Sequence, residues 1–322
     1  MPIQSALTTV GVAKQSVKGT AIANPTYLHG ITDGQVMTVE VSQDLEARTS
    51  GTRFSPAVNR TGVMPGIEFT CRGHAPSVGM YLLGALGSVA TTGTNPNFTH
   101  VFSTGADVPY LTTFGTIDGN RYSVQDVKVD SLEVSWSENE PVEFAVTGMG
   151  TNVAFPASIT PTTDDSAAAY FRPAGGTFQF AASGTTPATA LITGGSISIS
   201  NNLSPVMLSG TITPGDVFPG QQAIECSFDM TPDNLNDWRT ILTGTSNGST
   251  VSAAPIYGSF SVAFTNGTNT LTFAATRVAF TCDFPSSDAG GGPATLSVAG
   301  LVTIPASGSP MTATLLNSVT SY

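Results

Sequence analysis

Three histidines, three cysteines and a few carboxylates are the side chains here that could do chemistry. A metal centre needs ligands at short, regular spacings. His29, His74 and His100 form no such pair, and Cys71, Cys226 and Cys282 make no CxxC. Three scattered cysteines do not build a disulfide framework either, so the thiols read as free and buried in a reducing compartment. The sequence contains no G-x-S-x-G elbow and no phosphate-cradling glycine loop. Gly290-Gly291-Gly292 is not followed by a helical pattern and reads as a turn. Glu138 and Glu140 come nearest to a catalytic pair, but they stand two apart in a turn between strands, where solvated charge is the plainer reading. No catalytic residue, cofactor site or metal site is predicted.

The surrounding chain explains what these residues sit on. It has 322 residues, enough for one large or two ordinary domains, and a hydrophobic share of 40% supports a core. Only 10% of residues are charged, against roughly 25% in an average domain. Gly, Ser and Thr fill the difference, which suits short strands and many turns. The net charge of −11 argues against a surface that grips phosphates. Residues 1–19 lack a signal-like apolar core and no run of ~18 apolar residues occurs, so a soluble, non-membrane protein is expected.

Two stretches repeat each other. MPGIEFTCRGHAPSVGMYLLGALG runs from Met64 to Gly87, and FPGQQAIECSFDMTPDNLNDWRTILTG from Phe218 to Gly244. Each places Pro-Gly before a strand containing a Cys, then a Pro-started helix that stops at Gly. Cys71 is matched with Cys226, Pro76 with Pro232, Tyr81 with Trp238, and Gly87 with Gly244. Val78, Tyr81, Leu82 and Ala85 make an apolar stripe at helical spacing. In the second copy Thr231 is the expected cap.

Strands flank both stretches. Val36–Arg48 alternates, with Thr38, Glu40, Ser42, Asp44 and Glu46 on one face and Val39, Val41 and Leu45 on the other. Leu132, Val134 and Trp136 alternate with Glu133; Val142, Phe144 and Val146 alternate with Glu143. Ser196, Ser198 and Ser200 take the wet face in the second copy, with Ser in place of acids. Asp118-Gly119-Asn120 and Asn266-Gly267 mark matching hairpins. Residues 88–109 read as a long polar connection. The predicted organisation is an arm at 1–26 that orders only against a partner, a first repeat at 27–150 and a linker region at 151–189 with a short strand at 177–181. A second repeat at 190–303 and a polar tail at 304–322 complete the chain.

Gly11, Lys14-Gln15-Ser16, Gly19-Thr20-Ala21 and Pro25, with the acidic strand pair, the single helix per repeat and the duplicated sheet, resemble tail tube proteins of long-tailed, non-contractile bacteriophages. The resemblance implies a mainly β fold: a duplicated tail-tube-type β-sandwich or β-barrel unit with one α-helix per repeat. It implies a structural virion protein, assembled in the host bacterial cytoplasm, whose rings stack into a hollow tail tube. Two units per chain imply a trimeric ring with pseudo-sixfold symmetry. The implied partners are further copies of the chain, the tape-measure protein, the tail terminator and the distal tail or baseplate proteins. DNA passes through without specific binding.

On that basis Glu40, Asp44, Glu46, Glu133 and Glu143 are the candidates for facing the lumen, where acidic charge keeps DNA sliding. The second repeat, with Ser in their place, is expected to give a neutral sector. Lys14 and Lys18 in the arm, and Glu138 and Glu140 in the turn, are the candidate contacts between rings. The competing readings are a receptor-binding or adhesin module, which exposed aromatics at loop tips would favour, and another virion shell or decoration protein.

Overall fold

The computed structural model describes residues 4–46, 53–55, 57–165, 167–285 and 293–322. The first copy runs β1 (Thr8–Lys14), β2 (Tyr27–Gly30), β3 (Asp33–Leu45), β4 (Val58–Arg72) and α1 (Val78–Leu86). It continues with β5 (Gly87–Thr94), β6 (Asn97–Thr104), β7 (Leu111–Ile117), β8 (Asn120–Ser137) and β9 (Glu143–Met149), then β10 (Asn152–Ala154) and β11 (Thr163–Asp164). The second runs β12 (Arg172–Ala181), β13 (Ala188–Thr189), β14 (Ile192–Ser200), β15 (Ser204–Met207), β16 (Pro214–Phe218) and β17 (Ala223–Met230). It ends with α2 (Asn236–Thr243), β18 (Tyr257–Asn266), β19 (Asn269–Cys282), β20 (Leu296–Val302) and β21 (Met311–Asn317). The Asp288–Gly292 turn and the end of the Val36–Arg48 run, Ala47-Arg48, lie outside the described residues.

Strand pairing confirms the duplication and corrects its register. In the first copy β3, β4, β9 and the C-terminal half of β8 lie side by side. In the second, β14, β17, β20 and the C-terminal half of β19 do the same. Phe69 sits between Gly34 and Val146; Phe228 sits between Gly195 and Val298. The hydroxyls of Thr32 and Thr193 donate to the carbonyls of Thr70 and Asp229, the residue after each Phe. Phe69 therefore corresponds to Phe228, Cys71 to Met230 and Gly148 to Gly300. The Cys71–Cys226 match is off by four residues, a slip that leaves every side chain on its own face because a strand repeats every two residues.

Three regions differ from expectation. Residues 8–14, read as an arm awaiting a partner, form β1, with Val10, Val12 and Ala13 buried between β2 and β7. In the region read as a linker, β12 pairs with β18 as β1 pairs with β7. The polar stretch 88–109 is largely the β5–β6 hairpin, and the tail supplies β21, which bridges β19 and β6 with Leu315 fully buried. These strands are built from Thr, Ser, Ala and Gly, so only their neighbours decide that they are strands.

Each copy is a two-layer sandwich because its long strand serves both layers. The N-terminal half of β8 joins β7, and that of β19 joins β18 and β21. The core between the layers holds Phe69, Phe144, Val146, Leu132 and Val134 in the first copy and Phe228, Val298, Phe260, Phe264 and Phe273 in the second.

Both helices end at a glycine in the left-handed conformation, Gly87 at φ 91° and Gly244 at φ 85°, whose N–H caps a carbonyl of the last turn. The second helix does not start at Thr231. It begins at Asn236, whose N–H is taken by the Asn234 side chain at 2.8 Å, an Asx-type turn that outcompetes the earlier cap.

Candidate lumen face and subunit edges

The two four-stranded sheets are not separate. β8 pairs antiparallel with β14, from Ser137–Gly194 to Ser131–Ser200. The result is one continuous sheet of eight strands in the order β3-β4-β9-β8-β14-β17-β20-β19. On its inner side the seam is packed like any core. Trp136 of the first copy meets Phe178, Phe228 and Phe264 of the second at centroid distances of 6.4, 6.1 and 5.1 Å. Asn201, buried just after β14, donates to the carbonyls of Ala85 on α1 and Val129 on β8 and accepts from Gln222. A buried amide with its bonds satisfied on three elements fixes the seam's geometry.

Among the described residues no layer covers the other side of this sheet, and pairing across strands shows what it displays. One row reads Thr70, Ala145, Glu133, Ser198, Glu225, Leu301, Ala279. The next reads Arg72, Glu143, Ser135, Ser196, Ser227, Ala299, Thr281. Flanking rows add Glu68 beside Thr147 and Ser131, and Asp229 beside Ser297. Hydroxyls, alanines and five carboxylates thus face one guanidinium, that of Arg72. Ser297 donates to Asp229 at 2.6 Å, and the Ser131 and Thr147 hydroxyls bond at 2.7 Å. Glu133, Ser198, Glu225, Leu301 and Ala279, from five adjacent strands, border a single open depression of about 530 Å³, so this part of the face is concave.

The predicted site residues divide on this frame. Glu133 and Glu143 share the open face. Glu40 continues the same face beyond the sheet, since Thr38 pairs with Gly66 and Glu40 with Met64, but there β3 and β4 project as a hairpin, tied to the second copy by the Val63 N–H, which donates to the Ile212 carbonyl at 2.6 Å. Asp44, opposite Asn59, and Glu46, just past β3, belong to that extension. Sequence reasoning missed Glu68, Glu225 and Asp229. The alternation of Ile224, Cys226, Phe228 and Met230 with Glu225, Ser227 and Asp229 was the signal, and it removes the expected neutral sector because both copies carry acids.

Glu138 and Glu140 lie in the β8–β9 turn at the end of the sheet away from the β3–β4 tip, with Glu140 accepting from Ser137 at 2.9 Å. Lys14 is exposed at the end of β1. Lys18 is bound within the chain to Asp216 at 2.8 Å, and Asp216 also accepts the Tyr110 hydroxyl.

The histidines are packing residues. His29 is buried with Nε2 at 2.6 Å from the Tyr81 hydroxyl, and burial pulls its pKa down to about 4. His74 faces the Ala168 carbonyl, and His100 lies between Thr91 and Asn317. Burial pushes the Cys226 thiol up to about 12 and the Cys71 thiol higher still, the opposite of a reactive cysteine.

A duplicated β-sandwich whose two copies share one open, acidic and hydroxyl-rich sheet face, with a depression near its middle, is what a wall element displays. Residues 5–309 match the family model of the phage tail tube protein. The chain belongs to that family. No curated protein matches it. It is therefore a structural protein of the virion tail, part of the tube. Among the described residues of this tail tube chain, no helix is long and apolar enough to cross a membrane.

Proposed function

We propose that three copies close into a ring with pseudo-sixfold symmetry and that rings stack into the tube through which DNA leaves the capsid. The observation that carries this reading is the β8–β14 seam, which already joins two wall units edge to edge within one chain. Three sheets of eight strands give a barrel of 24. At ~4.8 Å per strand and ~40° tilt its circumference is roughly 150 Å and its backbone diameter about 48 Å. Side chains reduce the bore to about 35–40 Å, and a duplex roughly 20 Å across passes. Six copies would double the strand number and make a bore far wider than the cargo needs.

The concave face lines this bore. Glu68, Glu133, Glu143, Glu225 and Asp229 repel the phosphate backbone, so DNA slides instead of sticking. The hairpin with Glu40, Asp44 and Glu46 carries the acidic lining toward the next ring. Lys14 and Lys18 stand toward the hairpin end of the sheet and Glu138 and Glu140 at the other, so stacking sets opposite charges across the ring junction. The tape-measure protein fills the bore before ejection, and the terminator and distal tail or baseplate proteins close the two ends. Assembly takes place in the host cytoplasm.

Negative-stain microscopy of the purified chain tests this. Rings or tubes with a central hole and three copies per ring are expected; compact monomers at all concentrations would instead favour a binding module. The lining is tested by Glu133→Gln, Glu143→Gln, Glu225→Gln and Asp229→Asn together. DNA ejection from intact virions should slow, and unchanged kinetics would remove these residues from the lumen.

A further inference from the structure

The eight-stranded sheet ends in two strand edges that nothing within the described residues covers. β3 pairs with β4 alone. β19 loses its outer neighbour after Ala279, which pairs with Tyr257, the first residue of β18, while β20 holds its other side through Cys282. Free edges of this kind are templates for another strand. We propose that they are made for each other in separate chains: the outer edge of β3 at residues 33–39 adds antiparallel to the outer edge of the β19 segment at 280–284 in a second copy. This reproduces, residue for residue, the seam that β14 makes with β8 inside one chain. The proposal rests on the ring reading above and specifies how the ring closes.

The internal duplication supplies the register. Because Val146 and Val298 are equivalent, Leu132 opposite the one corresponds to Cys282 opposite the other. Glu133 and Val134 then correspond to Asp283 and Phe284. On the other strand Val36 corresponds to Ile197, and after the bulge between Gln35 and Thr38, Thr38 corresponds to Ser198 and Val39 to Ile199. Inside the chain the pairs are Leu132–Ile199, Glu133–Ser198 and Val134–Ile197. Between chains they become Cys282–Val39, Asp283–Thr38 and Phe284–Val36. Apolar faces apolar on the covered side, and an acid faces a hydroxyl on the open side, in both sets.

Exposure supports the same match. Leu132, Ile199, Val134 and Ile197 are all fully buried, whereas Val39 is 42% exposed and Phe284 64% exposed. Val39 and Phe284, one from each proposed pair, sit where the internal seam has core residues, which is what a missing neighbour leaves; their partners Cys282 and Val36 are half-buried and buried. Phe284 is held ready by Trp238 of α2, ring to ring at 4.9 Å. The helices agree: α1, which lies over the internal seam, is buried along its whole length, while α2, beside the free edge, buries only Ile241.

Engineered disulfides read the register directly. Opposed residues of antiparallel strands have Cα atoms about 4.5 to 5.5 Å apart, within disulfide range. Val39→Cys is expected to pair with native Cys282 of the neighbour. Thr38→Cys with Asp283→Cys, in a Cys282→Ser background, is expected to do so at the adjacent position. Within one chain these positions are some seven strand spacings apart, roughly 34 Å, so intramolecular closure is excluded. Oxidised full-length protein should run on a non-reducing gel as a ladder ending at the trimer, collapsing to monomer on reduction.

Rings seen by microscopy without either cross-link overturn this seam and leave the ring reading standing. Cross-linked species without rings support the seam and refute the ring, and absence of both overturns both. Phe284→Arg guards against misfolded variants. It should keep the monomer's circular dichroism and melting curve, because the side chain is exposed, yet lose ring formation; rings from this variant would also overturn the seam.

Discussion

The two copies share a strand plan but spend their helices differently. In the first, α1 (VGMYLLGAL) is apolar on all sides and buried throughout, enclosed by β8, β5, β6 and the C-terminal residues. The Tyr322 ring packs on Gly79, where any side chain would collide, and its hydroxyl donates to the Pro76 carbonyl at 2.7 Å. In the second, α2 (NDWRTILT) has one apolar stripe and one wet face. A helix that lies in the interior can dispense with polar residues; one at an edge cannot. The same divergence marks the connection after the first sheet strand. In the first copy it is the long β3–β4 hairpin, and in the second it folds into the small β15–β16 sheet. The two copies thus differ in burial, one helix being enclosed and the other standing at an edge.

Removing residues 311–322 should have the largest effect. In the second copy β21 completes the layer that the three-residue β10 completes in the first, and its loss strips β19, β6 and α1 together. The expected outcome is an insoluble chain or one without a cooperative melting transition; a cooperative transition within a few degrees of the parent would show that the first copy stands without the tail.

Next come the helices. Leu82→Ala, in the enclosed helix, should cost about 2–5 kcal/mol, and Ile241→Ala in α2 less, because a site near the surface collapses more easily. Equal losses in denaturant titrations of the unassembled chain would erase the distinction between the enclosed helix and the one at the edge.

The third prediction concerns pH. In the first copy His29 and Asp165 are buried beside α1. Desolvation holds His29 down at about 4 and pushes Asp165 up to about 6. For His29 the stability is complete above the unfolded value near 6.5 and is lost as pH falls from there through 4. For Asp165 the sign is opposite, with stability gained as pH falls through 6 toward 3.8. His29→Gln should therefore lessen the loss of stability between pH 6.5 and 4 by about 3 kcal/mol relative to the parent, leaving the Asp165 gain in place. Identical pH profiles for the two proteins would mean that His29 is hydrated.

The smallest effect is expected at Lys18. Its partly exposed pair with Asp216 links the start of the chain to the β15–β16 insertion, and Lys18→Met should change stability by less than about 1 kcal/mol. If tube formation nevertheless fails in this variant, Lys18 acts between rings.

Much of this architecture can be read along the chain. Period-two runs such as Leu132-Glu133-Val134-Ser135-Trp136 declare both a strand and its faces. The Gly after each helical stripe declares the stop, and the recurrence of these blocks declares the duplication. These signals are local, since side-chain alternation and glycine's backbone freedom act within a few residues. What the pattern could not settle was everything that depends on a neighbour far away in the chain. Thr8–Lys14, the β5–β6 hairpin and Met311–Asn317 look like loops because small hydroxyl residues suit strand and coil alike, and only β7, β21 and β19 beside them supply the missing hydrogen bonds. The lumen candidates show the same division. Alternation put Glu133 and Glu143 on a wet face, but that this face is shared with Glu225 and Asp229 followed only from the pairing of β8 with β14. The alternation of neither strand encodes its partner's register; the packing of Trp136 against the second copy and the bonds of Asn201 select it.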